Sequence, residues 1–189
     1  MRAFVAGLLV GVLLLVGGVY YYFVSGMAPV AAGDPPMPYE KKMANKSLDV
    51  HIENAKVPPP PLQANEENLL AGAKIYKEQC AMCHGLPDQP PPAIADSMYP
   101  HATLLFKGKG VTDDPASVNY WKASNGLRLT GMPSFKAALT DTQLWQVAQL
   151  VTHANELPDS AKKVLAPEPP PAAMPPVPAP TKASPSKQK

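Results

Sequence analysis

Residues 80–84 read Cys80-Ala81-Met82-Cys83-His84, a C-x-x-C-H segment that contains the only two cysteines of the 189-residue chain. With two residues between them, the thiols lie on one helical turn and face the same side. A histidine follows directly, so this short segment offers two sulfur groups and one imidazole. Two neighbouring cysteines cannot build the disulfide framework that stabilises small secreted domains. The segment therefore needs another chemical use.

The C-x-x-C-H pattern predicts one covalently attached haem c, bound through Cys80 and Cys83, with His84 as a ligand of the haem iron. A structural zinc site would need four ligands, and the other three histidines are scattered singly along the chain. A thioredoxin-type redox pair would need a βαβ setting, but no strand pattern surrounds the motif. Haem attachment is the prediction that remains.

An apolar segment at the N-terminus predicts a membrane anchor. Residues 3–24 carry no charge, and as a helix they would span about 33 Å, enough for a bilayer core. Arg2 precedes them, which by the positive-inside bias puts the N-terminus in the cytoplasm, and Tyr20, Tyr21 and Tyr22 lie near their far end, where aromatic rings favour the membrane interface. We therefore expect a transmembrane helix at 1–25 in a bacterial inner (plasma) membrane, with the rest facing the periplasm or outside. The alternative is a signal peptide cleaved after Ala32.

Prolines mark two further segments of the chain, which has 25 of them. Residues 26–64 contain several Pro-Pro pairs, which predict an extended, semi-rigid spacer. A short helix from Tyr39 to Ala55 within this spacer is only weakly patterned. Residues 161–189 are rich in Ala, Pro and Lys, and this composition predicts a disordered tail.

Between these segments, residues 65–160 are predicted to form one all-α domain. Helical spacing occurs near both ends of this region, and no alternating strand pattern is found. The first predicted helix, Asn68–Gln79, leads directly into the cysteines, with Asn65 or Asn68 as its N-cap.

Two more helices are predicted in the second half of this domain. Ser117–Ser124 is a short helix that ends before Gly126, a residue suited to the position after a helix end. Thr140 and Gln143 form a capping-box sequence, and apolar residues at helical spacing then extend the last helix to about Asn155.

The charge of this region excludes one class of partner. From Glu66 to Asp159 there are seven basic and ten acidic side chains, so no basic surface for nucleic acid is present. We expect redox proteins and the membrane as partners, and no nucleic acid.

Taken together, the motifs resemble the class I cytochrome c family, especially its bacterial monohaem members, over about residues 66–158. They are Gly72-x-x-x-Tyr76-x-x-x-Cys80, the 80–85 attachment site, the segment NGLRLTGMPSF at 125–135, and a closing helix that contains Trp145. The resemblance implies a cytochrome c-like helical fold around one haem. It also implies that the first and last helices of the domain cross closely, at Gly72 and Trp145.

The sixth iron ligand is predicted to be Met132. Gly131 permits unusual backbone dihedrals before it, and Pro133 stiffens the turn after it. The resemblance implies the same residue as axial methionine. A buried core methionine is the alternative reading, and Met98 and His101 are the substitute ligands.

Three supporting interactions are also expected around the haem. A carbonyl of Pro90, Pro91 or Pro92 would accept a hydrogen bond from the second ring nitrogen of His84. Trp121 and Arg128 flank the methionine segment, and either can hydrogen-bond a haem propionate. Core packing for Trp121 and solvent exposure for Arg128 are the alternatives.

The sequence thus predicts a non-enzymatic protein that passes single electrons through a haem ligated by His84 and Met132, between membrane or periplasmic redox partners of a respiratory chain. Two alternatives stay open. One is a fixed subunit of a larger respiratory or dehydrogenase complex. The other is a haem enzyme or gas sensor with a displaceable sixth ligand.

Overall fold

The computed structural model describes residues 1–107 and 113–167. Within these two ranges the chain forms eight helices and no strand. Their bounds are α1 Arg2–Val24, α2 Glu40–Ala55, α3 Glu66–Gln79, α4 Ala81–His84, α5 Ala93–Ser97, α6 Ala116–Asn125, α7 Asp141–Thr152 and α8 Asp159–Leu165. The prediction of an all-α fold is confirmed.

Helix α1 is the apolar helix predicted at the N-terminus. It has 23 residues, none of them buried against the rest of the described chain. Its length and composition make it the one candidate membrane span within 1–107 and 113–167. This helix is consistent with a membrane-anchored protein.

The core of the domain lies where α3 packs against α7 and α8, while α6 covers the other side of α7. Tyr76, Leu150 and Leu165 lie fully inside this core. At the crossing of α3 and α7, a β-carbon on Gly72 would overlap the backbone carbonyl of Gln146. The helices therefore approach to a distance that only glycine permits.

The partner of Gly72 differs from the expected one. Trp145 does not fill the crossing, because its ring stacks on Tyr120 of α6, with ring centroids 4.1 Å apart and planes at 12°. Gln146, one residue later, faces α3 instead, and its side-chain amide donates to the side-chain oxygen of Asn68 at 3.0 Å. Successive helical residues point about 100° apart, so the two cannot face the same neighbour.

Side-chain hydrogen bonds cap the N-terminal ends of α3 and α7. The Asn65 side chain accepts the backbone N–H of Asn68 at 3.0 Å, so Asn65 is the N-cap of α3. Thr140 and Gln143 form the expected reciprocal capping box at the start of α7. Helix α7 ends at Thr152, slightly earlier than the apolar pattern predicts.

The predicted start of a disordered tail at residue 161 is wrong. Helix α8 continues to Leu165, and Ala161 and Leu165 are both fully buried against the core. Ala161 and Leu165 are four residues apart, so they lie on the same face of the helix, and this face packs on the core. The rest of the predicted tail, 168–189, lies outside the described residues, as do residues 108–112.

The predicted spacer at 26–64 contains a full helix and packs on the domain. Ile52 of α2 is buried, and the ring of His51 lies 5.4 Å from that of Trp121. Further on, the Gln149 side chain donates to the carbonyl of Leu62 at 3.0 Å. A helix rises 1.5 Å per residue against about 3.1 Å for extended proline-rich chain, so this segment reaches less far than expected.

Candidate haem site

The C-x-x-C-H segment forms a helical turn at the end of α3. Cys80 is the C-cap residue of α3. The backbone N–H groups of Cys83 and His84 donate to its carbonyl at 3.1 and 2.9 Å. Both thiols are free and half-buried. Burial, and secondly the nearby Cys83 sulfur, raises the pKa of Cys80 to about 12. At neutral pH the Cys80 side chain is therefore a protonated thiol.

A buried tyrosine fixes the far end of this turn. The Tyr76 hydroxyl donates to the carbonyl of Gly85 at 2.8 Å, and burial followed by the charge of Cys80 raises the Tyr76 pKa. Its ring meets the ring of Phe106 edge-on, with centroids 4.9 Å apart. Gly85 has φ +73°, a conformation that side chains disfavour. The turn is thus tied to the core on both sides of His84.

The hydrogen-bond partner of His84 is a residue that the sequence did not indicate. Its Nδ1 lies 2.6 Å from the carbonyl oxygen of Thr103, so the expected acceptor among Pro90, Pro91 and Pro92 is wrong. A carbonyl only accepts, so Nδ1 carries the proton and Nε2 keeps its lone pair. Burial lowers the His84 pKa, and the Thr103 hydrogen bond partly opposes this effect. The imidazole is therefore neutral and suited to binding a metal through Nε2.

The methionine segment is a closed loop between α6 and α7. The Leu127 N–H donates to the Met132 carbonyl at 3.1 Å, and the Met132 N–H donates to the Thr130 hydroxyl at 3.1 Å. Gly126 has φ +69°, and a β-carbon there would lie 2.6 Å from the Pro133 carbonyl carbon. Met132 is half-buried in this loop. Hydrogen bonds within the loop and close packing at Gly126 thus fix the backbone around Met132.

Gly131 has a different role from the one predicted. The residues of the loop with positive φ are Gly126 and Leu129, at +69° and +61°, and Gly131 is not among them. Instead, a β-carbon on Gly131 would lie 2.9 Å from the sulfur of Met98. The absence of a side chain makes room for Met98, which brings the loop at 98–101 against the loop that carries Met132.

The remaining predicted residues lie in different environments. Trp121 is half-buried beside His51, while Arg128 is exposed to solvent. His101 is exposed, and its Nδ1 lies 3.2 Å from the Ala95 carbonyl. Sequence reasoning missed two contacts, the one between His84 and the Thr103 carbonyl and the one between Met98 and Gly131. Neither leaves a recognisable pattern in the sequence.

The donor set fits a c-type haem better than a bare metal ion. Among residues 1–107 and 113–167, no three His, Cys, Asp or Glu side chains are placed to hold one metal ion together. Cys80, Cys83 and His84 therefore do not converge on one point, as ligands of a shared zinc would. A c-type haem instead needs two thiols for its thioether bonds and one imidazole nitrogen for its iron. The turn offers the two free thiols and the Nε2 nitrogen of His84. Met132 lies on a separate loop and carries a thioether, a group that haem iron also accepts as a ligand.

Comparison with family models supports a class I c-type cytochrome domain, a family that implies a covalently bound haem c with its iron. Residues 67–151, from the first turn of α3 through nearly all of α7, match the family model described as cytochrome C oxidase, cbb3-type, subunit III.

Comparison with solved structures gives a partial similarity. A chain of the "Kuenenia stuttgartiensis reducing HAO-like protein complex Kustc0457/Kustc0458" is 28% identical, with a TM-score of 0.43. The similarity covers 50% of this chain and 46% of that one, so it spans about half of each. A comparison with curated proteins gives no match.

Proposed function

We propose that this protein is a membrane-anchored carrier of single electrons, with haem bound at Cys80 and Cys83 and iron ligated by His84 and Met132. The observation that carries the proposal is the hydrogen bond from His84 Nδ1 to Thr103, which leaves Nε2 available on a turn with two free thiols. Helix α1 serves as the anchor, and the positive-inside bias favours a domain outside the cytoplasm.

Each residue group has a separate task in this proposal. When bound, the haem supplies a one-electron couple, whose potential a methionine ligand raises. The Thr103 carbonyl fixes the tautomer and orientation of His84. The closed loop at 125–135 holds Met132 in place, so that the ligand set stays the same in both oxidation states. A residue that occupies the sixth position permanently favours electron transfer over chemistry at an open iron.

The test is a matched pair of methionine substitutions in the holoprotein. Met132→Ala should remove the weak near-red sulfur-to-iron charge-transfer band of the oxidised protein and let the reduced protein bind carbon monoxide. Met98→Ala is the control, because it deletes a thioether beside the same loop. The oxidised Met98→Ala protein should keep the charge-transfer band, and the reduced protein should not bind carbon monoxide.

A different result would favour a different haem protein. If the wild type binds carbon monoxide readily and Met132→Ala leaves its spectrum unchanged, the methionine assignment fails. A gas-binding or catalytic haem would then be the better reading, with Met98 or His101 to be tested as ligands.

A second function is a fixed subunit of a larger membrane complex. The description of the matching family model, a subunit of a cytochrome oxidase, favours this candidate. Solubilisation in a mild detergent distinguishes the two roles. A carrier should purify alone, whereas a subunit should purify with other membrane proteins in fixed ratio.

A further inference from the structure

The chain between α1 and α2 is folded rather than loose. Residues 29–40, here called the membrane-proximal strap, contain four prolines. The Asp34 carboxylate accepts the backbone N–H groups of Val30 and Ala31, both at 2.9 Å, and these bonds lower its pKa. The Glu40 carboxylate accepts the N–H of Met37 at 2.8 Å. The strap therefore has a defined shape along its length.

The strap meets the domain at the two loops beside Met132. It lines one side of a cavity of about 350 Å³, and Tyr99 and Leu129 line the other. The Tyr99 hydroxyl also hydrogen-bonds Glu40 at the end of the strap. Tyr99 follows Met98, and Leu129 belongs to the closed methionine loop. The strap thus bonds to the loop at 98–101 through Glu40 and Tyr99 and faces the methionine loop across the cavity.

Chain length limits how far this contact can lie from the membrane. Helix α1 ends at Val24, and the strap begins five residues later at Pro29. A fully extended chain covers at most about 3.6 Å per residue, so Pro29 lies within about 18 Å of the end of α1. The headgroup layer itself is about 6 Å thick on each side of the bilayer. The two loops beside the strap are therefore held close to the membrane surface.

Contacts beyond the strap restrain the domain further. In α2, the ring of His51 packs against the ring of Trp121 in α6. After α2, the carbonyl of Leu62 accepts a hydrogen bond from the Gln149 side chain in α7. A segment attached at several points cannot act as a flexible tether. Rotation of the domain away from the membrane would break these contacts as well as the one between Glu40 and Tyr99.

We propose that the membrane-proximal strap turns the Met132 loop toward the bilayer, so that this cytochrome exchanges electrons with a redox centre in an integral membrane protein rather than with a soluble partner. The inference rests on the proposed function, since it takes α1 as the anchor and Met132 as a haem ligand. It adds the orientation of the domain and the class of its partner.

Orientation is measured on the full-length holoprotein in phosphatidylcholine nanodiscs, with the haem reduced and diamagnetic so that the iron does not itself relax the labels. A nitroxide is attached at Leu129→Cys or, for comparison, at Lys163→Cys on the exposed side of α8, since the native cysteines are blocked by haem. Lipids with a paramagnetic gadolinium headgroup should relax the Leu129 label several-fold faster than the Lys163 label. Equal relaxation at the two sites would overturn the proposed orientation.

The role of the strap is measured at the same Leu129 label. Adding Asp34→Ala and Glu40→Ala should slow its relaxation by the lipid several-fold, because the strap loses its internal bonds and its bond to Tyr99. Unchanged relaxation would show that the strap does not orient the domain. The Asp34→Ala, Glu40→Ala variant should keep the haem spectrum of the labelled Leu129→Cys protein, and loss of that spectrum would count against the proposed function instead.

The partner class is measured in native membranes washed free of soluble proteins. After chemical reduction, the haem should be reoxidised by oxygen as fast as in unwashed membranes, and several-fold more slowly in the Asp34→Ala, Glu40→Ala variant. Reoxidation that depends on returning the soluble fraction would contradict an integral membrane partner.

Discussion

The Nδ1 nitrogen of His84 lies 2.6 Å from the carbonyl oxygen of Thr103, nineteen residues along the chain. This contact sets the tautomer of the imidazole, because only a protonated nitrogen can donate to a carbonyl. It joins the turn with the two cysteines to the loop before residue 107. The position of the candidate iron ligand therefore depends on a distant piece of backbone.

We expect the proton of His84 to reside on Nδ1 in the reduced, diamagnetic holoprotein. Long-range proton–nitrogen correlation spectra of protein labelled with ¹⁵N-histidine should show a protonated Nδ1 and a metal-bound, unprotonated Nε2. Thr103→Ala should leave this pattern unchanged, since the acceptor is a main-chain atom. A proton on Nε2 would rule out ligation through that nitrogen.

Local signals in the sequence were sufficient for part of this fold. Thr140 and Gln143 predict the start of α7 because both partners of the capping box lie within one turn. The acceptor of His84 had no such signal, since every residue offers a carbonyl and only the folded loop selects Thr103. The end of the domain was missed for a similar reason. Leu165 lies in a stretch rich in Ala, Pro and Lys that resembles a disordered tail, and its burial depends on a groove formed by other helices.

Gly72→Ala should destabilise the domain by about 1–3 kcal/mol, the usual cost of overpacking. The added methyl group would overlap the Gln146 carbonyl, and backbone at a helix crossing cannot move aside cheaply. Denaturant unfolding of the detergent-solubilised holoprotein, followed by circular dichroism, measures this loss.

The control for this prediction is Gly33→Ala, because nothing lies within 4 Å of a β-carbon at that position. It should change the free energy of unfolding by less than about 0.5 kcal/mol. If Gly72→Ala were as mild as the control, α3 and α7 would not cross as closely as described.

Leu165→Ala should cost about 2–5 kcal/mol, the range for truncating a buried leucine. Its side chain is fully buried in the core formed by α3, α7 and α8. Lys163→Ala, on the exposed side of the same short helix, should stay within about 0.5 kcal/mol of the parent. Equal unfolding midpoints for both variants would mean that the domain ends before α8.

The most direct test of the account is whether the polypeptide keeps its haem after it has been unfolded. The full-length protein should stain for haem after denaturing electrophoresis, because thioether bonds to Cys80 and Cys83 survive detergent and heat. Mass spectrometry should find the haem mass on the peptide that contains both cysteines, and replacing both by alanine should abolish it. A wild-type polypeptide that loses all of its haem on denaturation would contradict a c-type cytochrome.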